Sequence, residues 1–88
     1  MEDNLKNMVA KLIDELTYQR DQLRLKIHLG SVEAKEQLSK LEDQLFQLRQ
    51  RFAPAQEAVN ESAEDVWEAL KLLGSEIKEG FDRIRKSL

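Results

Sequence analysis

Residues 62–88 read SAEDVWEALKLLGSEIKEGFDRIRKSL, and this stretch has the clearest apolar periodicity of the chain. Its apolar residues recur at steps of three or four: Val66, Leu70, Leu73, Ile77, Phe81, Ile84 and Leu88. This spacing keeps the side chains on one face of a helix. Ser62 is a candidate N-cap, and Arg85 and Lys86 lie in the last turn, where cations suit the helix dipole. We therefore predict a helix over about 62–87.

The same periodicity continues upstream as far as Leu5, with a mean spacing of about 3.6 residues, which is the repeat of a nearly straight helix. We call this row of apolar residues the stripe. We predict that it mediates self-association as well as internal packing. Its members in this prediction are Leu5, Val9, Leu12, Leu16, Leu23, Ile27, Leu38, Leu41, Leu45, Leu48, Phe52, Val66, Leu70, Leu73, Ile77, Phe81 and Ile84.

Two places are candidates for a turn. Pro54 lacks a backbone N–H and disfavours helical geometry in the preceding residue, so we predict a turn between Ala53 and Ser62. Gly30 and Ser31 resemble a helix end followed by a new N-cap, but the stripe crosses them without a change of phase. The pattern favours an all-α, elongated antiparallel hairpin with a long helix over about 3–52. The alternative is a three-helix bundle with a turn at 30–31.

Length and composition favour a single domain, 1–88, that associates with itself. The chain has 88 residues, of which 41% are hydrophobic, 6% aromatic and 35% charged, a composition typical of long helices and coiled coils. A core of this size is marginal unless the helices pack efficiently or the chain oligomerises. A hairpin would leave half of the long helix uncovered, so we expect a homodimer in which a second copy covers it.

Charge and residue usage exclude several classes of protein. The net charge of −3 and the lack of a basic tail argue against a nucleic-acid partner. The absence of Cys excludes disulfides and thiolate chemistry. The N-terminus has no signal-peptide pattern, and no apolar run approaches the length of a membrane span. We expect a soluble, cytoplasmic protein.

No constellation of residues points to catalysis. His28 is the single histidine, and it has no Cys or Glu-x-x-His companion that would make a metal site or a nucleophile–base pair. The acidic pairs, such as Glu64 and Asp65, are adjacent in sequence, so on a helix they diverge by about 100°. There is no glycine-rich phosphate loop. We predict that the protein is not an enzyme and has neither cofactor nor metal.

Apolar residues outside the stripe form a possible partner surface. Four of them lie on roughly the opposite face of the helical wheel, and three others lie at the border or on the polar side. The set comprises Tyr18, Leu25, Leu29, Val32, Phe46, Trp67 and Leu72. Trp67 has two interpretations: packing over the neighbouring helix near the turn, which we favour, or anchoring a partner protein or a membrane surface.

The C-terminal segment resembles that of a set of small bacterial coiled-coil proteins without a known activity. The matching residues are Ser62, Asp65, Trp67, Glu68, Leu70, Lys71 and Phe81. Pro54 departs from that pattern, which continues helically up to the Ser. The resemblance implies an all-α bacterial protein and no substrate.

We therefore expect a structural or protein-interaction protein that self-associates. The alternative is a reversible amphipathic binder of membrane or lipid surfaces. The acidic polar face of the C-terminal helix argues against it, since such helices usually present Lys and Arg to anionic lipid.

Overall fold

The computed structural model describes the backbone of residues 2–57 and 63–88 and the side chains of residues 5–57 and 65–88. Helix α1 spans Glu2–Lys26, a 3₁₀ turn spans Ile27–Leu29, α2 spans Val32–Glu57 and α3 spans Ala63–Ser87. These described ranges contain no strand, so the all-α prediction is confirmed. The elements form a bundle of 45 × 17 × 15 Å.

The chain turns at Gly30, and the predicted continuous helix over 3–52 is therefore wrong. Gly30 is extended, with φ −88° and ψ 165°, and its N–H donates to the carbonyl of Ile27 at 2.9 Å. The hydroxyl of Ser31 then accepts a hydrogen bond from the N–H of Ala34 at 3.1 Å, which caps α2. The alternative with a turn at 30–31 is the one observed. An unbroken apolar phase does not require a continuous helix, because two helices that pack against each other after a chain reversal can keep the same phase.

Helix α2 runs through Pro54 and ends at Glu57, beyond the predicted end near residue 52. Pro54 removes the hydrogen bond that its N–H would give to the carbonyl of Gln50, so it weakens the final turn without ending the helix. Both residues lie on the exposed side of α2. The chain passes from α2 to α3 between Glu57 and Ala63. The predicted cap Ser62 lies outside the described residues.

Helix α3 agrees with the predicted span and packs against both other helices. It runs parallel to α1, because Leu12 of α1 lies against Gly74, and Lys78 pairs with Glu15 of α1 at 3.2 Å. It runs antiparallel to α2, since Gly74 lies near Leu48 of α2 whereas Gly80, further along α3, lies against the earlier residue Leu41. Helices α1 and α2 contact each other over fewer residues than each contacts α3.

Two glycines allow this close approach along α3. A Cβ at Gly74 would lie 2.3 Å from Cδ2 of Leu12, and one at Gly80 would lie 2.7 Å from both Cδ atoms of Leu41. Glycine disfavours a helix interior by about 1 kcal/mol relative to Ala. Here that cost is offset because each glycine makes room for a Leu of the neighbouring helix.

Candidate interaction surface

The structure places most of the stripe inside the core of one chain. Its buried members are Val9, Leu16, Leu23, Leu38, Leu45, Leu48, Leu70, Ile77, Phe81 and Ile84. Partly buried against them are Leu5, Leu12, Ile27, Leu41, Phe52 and Leu73. Val66 is exposed. Because the turn at Gly30 lets α1, α2 and α3 cover one another, these side chains are occupied within the chain while it has this fold.

Trp67 belongs to the same core. Its side chain is only 3% exposed, and its ring meets that of Phe52 edge-on, with centroids 5.4 Å apart and planes at 72°. This T-shaped geometry is the one that aromatic pairs prefer. The favoured interpretation, packing over the neighbouring helix, is confirmed, and Trp67 is not on the outer surface. Ile13 is also buried, although its position at the border of the stripe leaves it out of the predicted set.

The other six residues of the predicted partner surface lie outside, and four of them define what we call the α1 patch. Tyr18, Leu25, Leu29 and Val32 are 65%, 70%, 68% and 70% exposed. They follow one another at steps of seven, four and three along the outer face of α1 and around its corner with α2. None of them belongs to the core cluster. Large apolar side chains grouped on the outside of a protein often mark a binding surface.

The two remaining exposed residues are isolated on other helices. Phe46 lies on α2 and is 61% exposed, and Leu72 lies on α3 and is 63% exposed. On the helical wheel, Leu72 has the acids Glu68 and Glu76 one turn away on either side. Phe46 and Leu72 are therefore suitable controls for the α1 patch. Their side chains are about as exposed as those of the patch, but no large apolar residue lies three or four positions away from either of them.

Ion pairs border the α1 patch. Arg20 pairs with Asp21 at 3.0 Å, on the same side of the helix. Arg24 pairs with Glu42 and so connects α1 to α2. Such exposed pairs contribute little stability, but they fix the charges that surround the apolar side chains.

A shallow groove separates α1 from α3 beside Tyr18. It encloses about 210 Å³, with Leu23 and Phe81 at its apolar base and Lys26 and Arg85 among its lining residues. Nearby, the amide of Gln19 donates to Glu15 at 3.4 Å, and its buried Oε1 has no partner among the described side chains. The groove is smaller than most ligand pockets, which are about 300–1,000 Å³.

Among the side chains of residues 5–57 and 65–88, the structure shows no cluster of three or more His, Cys, Asp or Glu that could hold a metal ion. His28 is exposed in the 3₁₀ turn. None of the helices in these ranges is sufficiently long and apolar to cross a membrane.

Comparison with known proteins identifies no relative of this chain. No protein-family model matches the chain, and no curated protein or solved structure is significantly similar to it.

Proposed function

We propose that the protein is a non-enzymatic interaction module that self-associates through apolar side chains that its own core does not use. One observation carries the proposal: the four large side chains of the α1 patch are each about two-thirds exposed, and none of them belongs to the core cluster. Removing apolar area from water stabilises association by about 25 cal/mol per Å². The patch is therefore a surface whose burial favours dimerisation.

The proposal differs from association through the stripe. The stripe is covered by the helices of one chain, so a second copy reaches it only if the bundle opens. The α1 patch is accessible in the closed bundle. Association through the patch thus leaves the helical content and the environment of Trp67 unchanged.

Sedimentation equilibrium from micromolar to millimolar concentration tests the proposal. The natural chain should shift from one to two chain masses as concentration rises. The double variant Leu25→Glu, Leu29→Glu should remain monomeric, because a charge at each position would be desolvated at the contact. The matched control Leu72→Glu places the same charge at an equally exposed position on α3 and should still dimerise. A folded natural chain that stays monomeric over the whole range would refute self-association.

The second candidate is reversible binding to a lipid surface. It is favoured by the limited contact between α1 and α2, since a bundle that opens there would expose the apolar faces of both helices. If the helices separate fully on the lipid surface, Trp67 loses its contact with Phe52, so its fluorescence should shift on addition of anionic vesicles. Unchanged fluorescence and helicity with both anionic and zwitterionic vesicles would exclude this candidate and leave self-association in place.

A further inference from the structure

The groove between α1 and α3 has a second section, nearer the start of both helices. This section encloses about 300 Å³ and lies between Met8 and Leu12 of α1 and Lys71 of α3. At about 100° per residue, the lining residues of both sections fall on one face of α1 and on one face of α3. The two sections therefore form one channel, which we call the α1–α3 groove. From Met8 to Lys26 it is about 27 Å long, at a rise of 1.5 Å per residue.

Positive charge lines the α1–α3 groove, although the whole chain has a net charge of −3. Five cations against two acids give the groove a local charge of +3. Cations lie on both helices that form it. The charged lining residues are Lys11, Lys26, Lys71, Lys78 and Arg85, with Glu15 and Asp82.

The two acids of the groove are already paired within the chain. Glu15 pairs with Lys78 at 3.2 Å, and Asp82 pairs with Arg85 at 2.8 Å. The other three lysines of the groove make no ion pair with any side chain that the structure describes. Their charges are therefore available to an acidic ligand.

The floor of the groove is apolar. Leu23 and Phe81 lie at the base of one section, and Leu12 lies at the base of the other. Tyr18 and Met8 border these sections and are 65% and 46% exposed. A ligand that covers this floor and also meets the lysines has an apolar face with acids on both of its edges.

We propose that the α1–α3 groove binds an acidic amphipathic helix of another protein. Its apolar face covers the floor, and its carboxylates pair with the lysines of α1 and α3. A groove between two adjacent helices accepts a further helix in this way, and the result is a four-helix arrangement. About 18 residues of such a helix span the groove. The inference goes beyond the proposed self-association, since the groove shares only Tyr18 with the α1 patch.

The ion pair between Glu15 and Lys78 crosses the groove between its two sections. The two side chains are 46% and 44% exposed, and an exposed pair of this kind contributes little stability. A carboxylate of the partner helix can therefore replace Glu15 at low cost. The variant Glu15→Gln leaves Lys78 unpaired, so it should strengthen binding of an acidic helix about threefold.

Two synthetic peptides test the proposal. The first has about 18 residues, with Leu at steps of three and four on one face and Glu on both flanks, and the second has Gln in place of every Glu. Fluorescence anisotropy of the labelled peptides measures their affinities. The Glu peptide should bind about tenfold more tightly, because its carboxylates pair with the cations of the groove. General attraction between net charges would have the opposite effect, since the chain itself is acidic.

Charge reversal locates the binding site. Lys11→Glu combined with Lys71→Glu should weaken binding of the Glu peptide about tenfold. The matched control is Lys40→Glu combined with Arg83→Glu, which makes the same change in net charge at exposed positions between α2 and α3. It should weaken binding much less. Circular dichroism should show that both double variants keep the helical content of the natural chain.

Several outcomes would overturn this inference: no binding of the Glu peptide, equal affinity for both peptides, unchanged affinity in Glu15→Gln, or equal losses in the two double variants. Binding to anionic vesicles that the reversal at Lys11 and Lys71 abolishes, without binding of the Glu peptide, would identify a lipid surface as the ligand instead. A chain that is monomeric at every concentration and binds the Glu peptide would refute the proposed self-association and support the groove.

Discussion

Helices α1 and α3 lie side by side and parallel, yet they use their apolar residues differently. In α3 the large apolar residues from Trp67 to Ile84 serve the core, apart from the exposed Leu72. Helix α1 has a core face as well, and on its outer side it has Tyr18 and Leu25 in addition. The comparison shows that packing against two neighbours accounts for the large apolar residues of α3 from Trp67 to Ile84 except Leu72, whereas in α1 it leaves Met8, Tyr18 and Leu25 unaccounted for.

The largest expected difference concerns two aromatic residues that border the same groove. Phe81 of α3 is 1% exposed, and Tyr18 of α1 is 65% exposed. Phe81→Ala should lower the free energy of unfolding by about 3–5 kcal/mol, because it removes buried area and leaves a cavity. Tyr18→Ala should change it by no more than about 0.5 kcal/mol. Urea denaturation at low micromolar concentration measures both, and similar losses for the two variants would contradict the division between core and outer face.

A smaller loss of stability is expected at Gly74, where α1 packs closely against α3. Gly74→Ala places a methyl group 2.3 Å from Cδ2 of Leu12. Overpacking of this kind costs about 1–3 kcal/mol, and the better helix propensity of Ala returns about 1 kcal/mol, so a net loss of about 1 kcal/mol is expected. Ser75 is the neighbouring residue and is exposed, so Ser75→Ala serves as the control and should be neutral or slightly stabilising.

A double-mutant cycle tests the cause of that loss. In the background Leu12→Ala, the space above Gly74 is open, so Gly74→Ala should be neutral or stabilising. A loss of equal size in both backgrounds would show that the contact with Leu12 is not the reason for glycine at this position.

The sequence predicts the all-α fold and the extent of α3 because an apolar spacing of 3.6 residues follows directly from burial of one helical face. It does not identify the correct turn. The unbroken phase of the stripe predicts a continuous helix at Gly30, whereas the capping interactions of Gly30 and Ser31 decide the structure there. Pro54 predicts an end of the helix near residue 52, but a proline in the last turns of a helix removes one hydrogen bond without ending the helix.

The candidate interaction surface, like the fold, could be predicted only in part from the sequence. Tyr18 and Leu25 are placed on the outside by their position opposite the stripe. The burial of Trp67 could not be decided from spacing alone, since a border residue is covered or exposed according to how closely the neighbouring helix approaches. The close approach of the neighbouring helices depends here on Gly74 and Gly80. A scale of helix propensity records these two glycines only as unfavourable.

An effect no larger than that of Gly74→Ala is expected at the corner that connects the α1 patch to α2. Ser31→Ala removes the hydroxyl that accepts the N–H of Ala34, and loss of such a cap costs about 1 kcal/mol. The first turn of α2 carries Val32, so fraying there should also weaken dimerisation as measured by sedimentation equilibrium. Ser39→Ala, an exposed site in the middle of α2, should raise stability slightly and leave association unchanged. If Ser31→Ala lowers stability without any effect on association, the start of α2 does not take part in the proposed self-association.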